Sequence, residues 1–458
     1  MSQPLVSVPW ERVYDGAASP VSGPTVLIMV WPEYGHVVTL LALAKQLRER
    51  RCRVVFAGVR TFEQPMRALG YEYANLSAAR PGAEPTLFDY LPHRAAFQSA
   101  VTHFIDSFRA ALSSYSPDLI LFDSLYSAFG TLAAAAGIPW ALYETDLPRE
   151  QDPNVPPPHL QLPPSAENLP RIGEEWASQL RETAAIREKA RRAPDMAFAW
   201  ASWHFPTLLT EELQRRLGTS VLYNYDVLYA PVARVPRMVF CPAEFDFARA
   251  DAAEISWVGP CIDHERSEPD FPWQALPLDR RIAYCSLGTQ THRHARTTEV
   301  LQRVLDVFSA REDYFLVLAC NSYQRQALRR SSPNVLLVER APQLALLRRA
   351  SLALTHAGFN SIKECAALGV RMLALPLGLD QPRNAALIEH RSLGRALDVQ
   401  HLTPSALDAA VTQVTGSASI TGACARMKDC FERWQRQPRA LDFVERLLKG
   451  RSGHTRAA

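Results

Sequence analysis

The stretch that decides the fold runs from Ala341 to Gln381 and reads APQLALLRRASLALTHAGFNSIKECAALGVRMLALPLGLDQ. Within it, Leu352–Thr355 is a short apolar run of the kind that a strand buried on both faces shows. The run leads into His356-Ala357-Gly358-Phe359-Asn360-Ser361, where a helix opens. A helix start presents backbone N–H groups without intrahelical partners and the positive end of the dipole, so it holds phosphate well. Gly358 allows close backbone approach, and His356 and Ser361 can each add a hydrogen bond to a phosphate oxygen. Ser361-x-x-Glu364 also has the spacing of a capping box, a device that needs no ligand.

On both sides of this stretch the same alternation recurs. Ile282–Cys285, Tyr314–Ala319, Val335–Val338 and Met372–Leu375 are further apolar runs, several of them separated by helical patterns. Nearer the N-terminus, Val26–Val30 is strand-like, Leu40, Leu43 and Leu47 recur at helical spacing, and Arg53–Ala57 is strand-like again. Leu119–Phe122 precedes a helical stretch, Ser127–Ala136, stopped by Gly137 and Pro139, and Trp140–Tyr143 follows. Buried strands alternating with helices predict an α/β protein with two doubly wound parallel sheets, and two such sheets facing each other make a cleft. Pro148–Pro164 carries seven prolines and reads as a long irregular loop that could close as a lid.

The bulk numbers agree. A chain of 458 residues supports about two domains. Lys and Arg number 50 against 47 Asp and Glu, which gives no support for a nucleic-acid or membrane-surface partner. The first 20 residues lack a basic cluster followed by an apolar core, and no apolar run approaches a membrane span, so a cytoplasmic protein is expected. The eight cysteines form no CxxC pair and are expected to be reduced thiols packed as small hydrophobes.

The decisive stretch resembles the signature of the family 1 glycosyltransferases. The elements that carry the resemblance are Ala341-Pro342-Gln343, then His356 with Gly358, Asn360, Ser361 and Glu364, then Asp380-Gln381. The turn Ser286-Leu287-Gly288-Thr289 resembles the family's phosphate-side turn. The resemblance implies the GT-B fold, with Gln343 near the nucleobase and His356, Asn360 and Ser361 on the diphosphate. It further implies Glu364 on the ribose, Asp380 and Gln381 on the sugar hydroxyls, and Gly288 and Thr289 on the phosphate side. Arg340 stands where the plant pattern has Trp, and a planar guanidinium can also stack on a base; Arg371 departs from the pattern as well. The expected division is an acceptor domain over 1–235, a nucleotide-sugar domain over 236–430, and a C-terminal helix over 431–458 that packs back on the first.

Transfer to a hydroxyl needs a base for the hydroxyl proton and stabilisation of the departing diphosphate. Gly35-His36, just after Val26–Val30, resembles the family's Gly-His, which carries the base; Asp123, ending Leu119–Phe122, is placed as its activating Asp. Asp123 also suits an N-cap. Thr145 resembles, more loosely, a threonine that touches the sugar. Tyr34 and Tyr126 sit in these motif loops and are the candidate acceptor contacts, with Trp31, Phe88, Tyr90, Trp200, Trp203 and Phe205 as further aromatics. The resemblance implies inversion by single displacement without a metal, and the sequence has no Asp-x-Asp triplet. The expected substrates are a UDP-hexose, glucose foremost, and a small apolar natural product. A TDP-deoxysugar is the second donor reading, a nucleotide-sugar epimerase or a non-catalytic binding protein the competing functions, and a monomer or homodimer the expected state.

Overall fold

Five consecutive residues, Thr25–Met29, are almost inaccessible to solvent and form the first strand, β1. Their side chains alternate between two cores: Val26 and Ile28 join one cluster, Leu27 and Met29 another. A strand covered on both faces is why the run is continuously apolar rather than alternating. The computed structural model describes residues 23–76, 94–192, 213–214, 216–217, 235–250, 255–289, 291, 294, 296–329 and 332–454. Phe88, Tyr90, Trp200, Trp203 and Phe205 lie outside the described residues, as does the N-terminal stretch through Pro20.

The first sheet contains β1, β2 (Arg53–Gly58), β3 (Glu72–Asn75), β4 (Leu119–Asp123), β5 (Trp140–Glu144), β6 (Arg237–Val239) and β7 (Ile255–Trp257), in the order β3-β2-β1-β4-β5-β6-β7. The second contains β8 (Arg281–Ser286), β9 (Tyr314–Ala319), β10 (Val335–Val338), β11 (Ala350–Thr355), β12 (Arg371–Ala374) and β13 (Gly394–Ala396), in the order β10-β9-β8-β11-β12-β13. Every pairing between these strands is parallel. Each sheet therefore reverses its winding direction once, between β1 and β4 and between β8 and β11. Crevices for ligands open at such points, beyond the carboxyl ends of the strands.

Two features depart from the expected layout. The division expected at residue 236 falls at the edge of β6, which pairs with β5 in the register Leu142↔Arg237 and extends the first sheet. Runs of three residues between prolines carry too little periodicity to be read as strands. At the other end, helix Ala418–Gln435 puts Phe431 into the second core, whereas helix Arg439–His454 puts Leu441, Phe443 and Val444 into the first. The chain thus crosses between the halves twice, and the crossings are stitched together. The Gln435 amide accepts from Ile262 N at 3.2 Å and donates to Ile262 O at 3.0 Å. All eight cysteines are buried and free. Among the described residues no helix is long and apolar enough to cross a membrane.

The proline-rich segment after β5 is fastened to both halves. Trp176, on helix Leu169–Arg192, donates to Val155 O at 2.7 Å. From the second half, Arg383 reaches the carbonyls of Leu147 and Pro148, each at 3.0 Å.

Candidate active site

Three adjacent strands deliver one cluster. β1 leads through Trp31–Glu33 into helix Tyr34–Glu49, which carries His36 in its first turn. β4, beside β1, ends on Asp123, and β5, beside β4, is followed by Thr145. Parallel pairing brings these strand ends level, so residues 87 and 109 positions apart in sequence meet. His36 Nδ1 lies 2.6 Å from Asp123 Oδ2 and 2.8 Å from Thr145 Oγ1. Asp123 is fully buried, and its Oδ1 accepts from Leu125 N at 3.0 Å. Each Asp123 oxygen has its own partner: one caps the turn Ser124–Phe129 and the other contacts His36. With Nδ1 so engaged, the imidazole keeps the Nε2 lone pair for other work, and the side chain is 17% exposed, enough to reach a bound molecule. Burial alone pushes the imidazole pKa down, but the charge and hydrogen bond of Asp123, helped by Glu33, outweigh it and raise it above the ordinary histidine value.

In the second sheet β8 and β11 are neighbours, with Ser286 opposite Thr355. The turn holding Gly288 and Thr289 therefore faces the turn His356–Gly358. His356 lies between two glycines: a Cβ on Gly288 would come within 2.6 Å of its ring, and one on Gly358 within 2.3 Å. Gly288 has φ +81, a conformation that costs other residues strain. The glycines thus make room for the imidazole. Burial pushes His356 down to about 4, despite a hydrogen bond to the Ser286 backbone, so this ring is neutral at physiological pH. Its Nδ1 is buried and has no partner among the described residues.

Helix Phe359–Leu368 begins with Gly358 as its N-cap. Ser361 therefore occupies the third helical position, and the capping-box reading of Ser361 and Glu364 does not describe the observed helix. The cause lies upstream: Ala357 takes the left-handed conformation at φ 64, held by Asn384 Nδ2 on its carbonyl at 3.0 Å, so the helix starts earlier. Ser361 is half-buried, and Thr289 is exposed at its turn. Asn360 turns its amide to the other half of the molecule: it donates to Gly35 O and accepts from Thr39 Oγ1, the latter at 2.9 Å. Its side chain thus joins the helix bearing His36 to the helix that starts at Gly358.

Glu364 is buried and already engaged. Arg266 forks it at 2.5 and 3.1 Å, and Gln343 Nε2 adds a bond at 2.7 Å. Glu268 holds this corner by accepting from Leu344 N and Ala345 N at 2.8 and 3.0 Å. Tyr34 belongs here too. Its hydroxyl is pushed up chiefly by burial and lies in the field of Arg266, Glu364, Glu268 and Arg340. Tyr34, expected as an acceptor contact, thus lies with the residues expected at the nucleotide, in the first turn of its helix. Arg340 is half-buried, with its pKa lowered by burial and the Tyr34 hydroxyl within its field. Tyr126 is buried against Trp31, with ring centroids 5.0 Å apart, and against Phe129 at 5.5 Å. Trp31 in turn lies 6.5 Å from the His36 ring, so this aromatic wall adjoins the imidazole.

In the pair Asp380-Gln381, Asp380 accepts from Asn384 at 2.7 Å, and burial next to Asp146 pushes its carboxyl far up from the usual carboxylate range. Gln381 Oε1 accepts from Leu377 N at 2.7 Å and Gly378 N at 3.2 Å, so half of this amide shapes the loop. Arg266, Thr39 and Arg383 went unread in the sequence, because each acts on a partner far away along the chain. Asn384 carried a faint signal, its helical spacing from Asp380.

Two doubly wound parallel-sheet halves of this kind make the GT-B fold; here one switch point carries a histidine–carboxylate pair and the other a glycine-lined helix start. Residues 302–448 match the family described as erythromycin biosynthesis protein CIII-like, C-terminal domain. Over 427 residues, 91% of this chain and 96% of the relative, the sequence is 22% identical to NDP-glycosyltransferase YjiC of Bacillus licheniformis. Among solved structures, the glycotransferase of kitacinnamycin aligns over 93% of this chain and 98% of its own, with TM-score 0.71 and 22% identity. Spinosyn rhamnosyltransferase SpnG complexed with thymidine diphosphate aligns over 93% and 100%, with TM-score 0.63 and 15% identity. The chain is a glycosyltransferase with the GT-B fold.

Proposed function

We propose that this chain is an inverting O-glycosyltransferase that moves a hexose from a pyrimidine nucleoside diphosphate to a hydroxyl of a small, largely apolar natural product. His36 Nε2 takes the proton of the acceptor hydroxyl as its oxygen attacks the anomeric carbon. The bond from that carbon to the diphosphate breaks on the opposite face. Asp123 stabilises the imidazolium that forms. The departing diphosphate charge falls on the helix start at Gly358–Ser361, where backbone N–H groups and the dipole are already oriented. Asp380 and Gln381 meet the sugar, Trp31 and Tyr126 the acceptor, and Gly288 and Thr289 the phosphate side. The reading needs no metal.

One observation carries it. Asn360 bonds to Gly35 and Thr39, the immediate surroundings of His36, so base and diphosphate cradle lie on either side of a single side chain. The test is His36→Ala, assayed with a nucleotide-hexose and a panel of polyketide, terpenoid and phenolic acceptors. Transfer should be lost while nucleotide binding remains; full turnover would reject the assigned base.

UDP-glucose is the first donor reading, from the Ala-Pro-Gln segment and from an Asp-Gln pair suited to a sugar that keeps its hydroxyls. A thymidine diphosphate sugar is the second. A carboxylate offers about four acceptor positions; Arg266 and Gln343 take three on Glu364, which leaves one for a ribose hydroxyl. The thymidine diphosphate bound in SpnG lends that reading further support. Thermal shifts with UDP, 2′-deoxyUDP and TDP separate the two, since a ligand that binds only the folded state raises its melting temperature. The eight reduced thiols suit a cytoplasmic enzyme, active as a monomer or homodimer.

A further inference from the structure

Arg383 is a fully buried arginine two residues beyond the sugar-side Gln381, and no part of the proposed chemistry uses it. It sits in helix Gln381–His390 of the second half, yet among the described residues its side chain bonds to the first. Its guanidinium donates to Leu147 O and Pro148 O at 3.0 Å each, its Nη2 lies 3.7 Å from Asp146, and its backbone N–H donates to Pro158 O at 3.1 Å. The carbonyls it holds begin two residues after Thr145, whose hydroxyl lies 2.8 Å from His36 Nδ1. Asp146, between them, closes the path: its Oδ1 accepts from Leu147 N at 2.7 Å and its Oδ2 from Arg149 at 3.1 Å. One turn of the same helix ties Arg383 to Asp380, because Asn384 bonds both Asp380 Oδ2 and Ala357 O.

We infer that Arg383 is a positioning residue: it fastens the Thr145-bearing loop to the sugar-side helix, so that His36 is oriented by the half that holds the donor. The inference rests on the base role proposed for His36. A guanidinium suits the task because its planar fork holds the two successive carbonyls with two separate nitrogens at a fixed spacing, which the single nitrogen of an ammonium does not reproduce. Burial makes the contact selective, since no water takes the place of a lost donor and the carbonyls then relax outward. Arg383 touches no reacting atom. Its whole effect passes through the loop.

A double-mutant cycle tests this. Thr145→Val, Arg383→Met and the pair are assayed for kcat, with rates normalised to the fraction that binds nucleotide. Arg383→Met should lower kcat between about tenfold and a hundredfold, the scale of small misplacements of a catalytic group, with donor KM little changed. The pair should be no slower than the slower single variant, because both changes release the same contact. Arg383→Lys keeps the charge beside Asp146 and tests folding separately: it should fold like the parent and recover only part of kcat. Multiplying effects in the pair, or full kcat in Arg383→Lys, would overturn the inference. Full activity of His36→Ala would instead remove the reading beneath it, leaving the two failures distinct.

Discussion

The molecule holds two histidines at matching places, His36 after β1 and His356 after β11, each between a central parallel strand and a helix. Their surroundings drive them apart. His36 meets a buried carboxylate at 2.6 Å and is raised above its ordinary pKa. His356 meets two glycines and a backbone carbonyl, and burial takes it down to about 4. In one ring a neighbouring carboxylate favours the charged form; in the other burial favours the neutral form. The contrast shows that position in a repeated fold assigns a side chain to a site, whereas the neighbouring strands assign its chemistry.

The contrast can be broken most directly at His36. We predict that His36→Ala lowers kcat by roughly 10²–10⁴, the usual worth of a positioned general base, with nucleotide affinity unchanged in a calorimetric titration. Loss of nucleotide binding would give the two rings one role. A smaller effect comes from Asp123→Asn. A base must be neutral to act, so in the parent the rate rises with pH through a pKa above the ordinary histidine value. Without the carboxylate the largest raising influence is gone and burial still lowers the pKa. The acid limb of the pH–rate profile should therefore move to lower pH, while the plateau rate falls. A limb that stays in place would show that Asp123 does not set the His36 pKa.

On the other ring, Gly288→Ala adds a methyl 2.6 Å from the His356 ring at a backbone of φ +81. It should cost about 1–3 kcal/mol in denaturant unfolding and weaken nucleotide binding in parallel. Unchanged binding would separate the His356 turn from the donor site. The smallest effect is expected at Arg340→Ala, which removes a stacking surface for the base: about a few-fold in nucleotide Kd, with kcat at saturating donor untouched.

Much of this was legible along the chain. Runs such as Val26–Val30 and Leu119–Phe122 are apolar on both faces because helices cover both, and that marks parallel sheets in the sequence itself. His36 and Asp123 stand at strand ends, where neighbouring parallel strands must bring side chains together. Other features were not legible, for one shared reason. Arg266 on Glu364, Asn360 on Gly35 and Arg383 on Leu147 are contacts between separate parts of the chain, and no local periodicity records them. The helix start at Gly358 depends likewise on a distant amide, Asn384, which holds Ala357 left-handed. Tyr34 was placed by its motif, but the direction of its side chain came from the first turn of a helix and could not be read from spacing.

The paired crossing at Ile262 and Gln435 has a mechanical consequence. Two passages of backbone bound side by side act as the spine of a book, so the leaves can swing about that line but resist sliding along it. The working faces, on the strand ends, should then part and meet by rotation as donor leaves and enters, and scattering profiles recorded with and without nucleotide would register that swing as a change in radius of gyration.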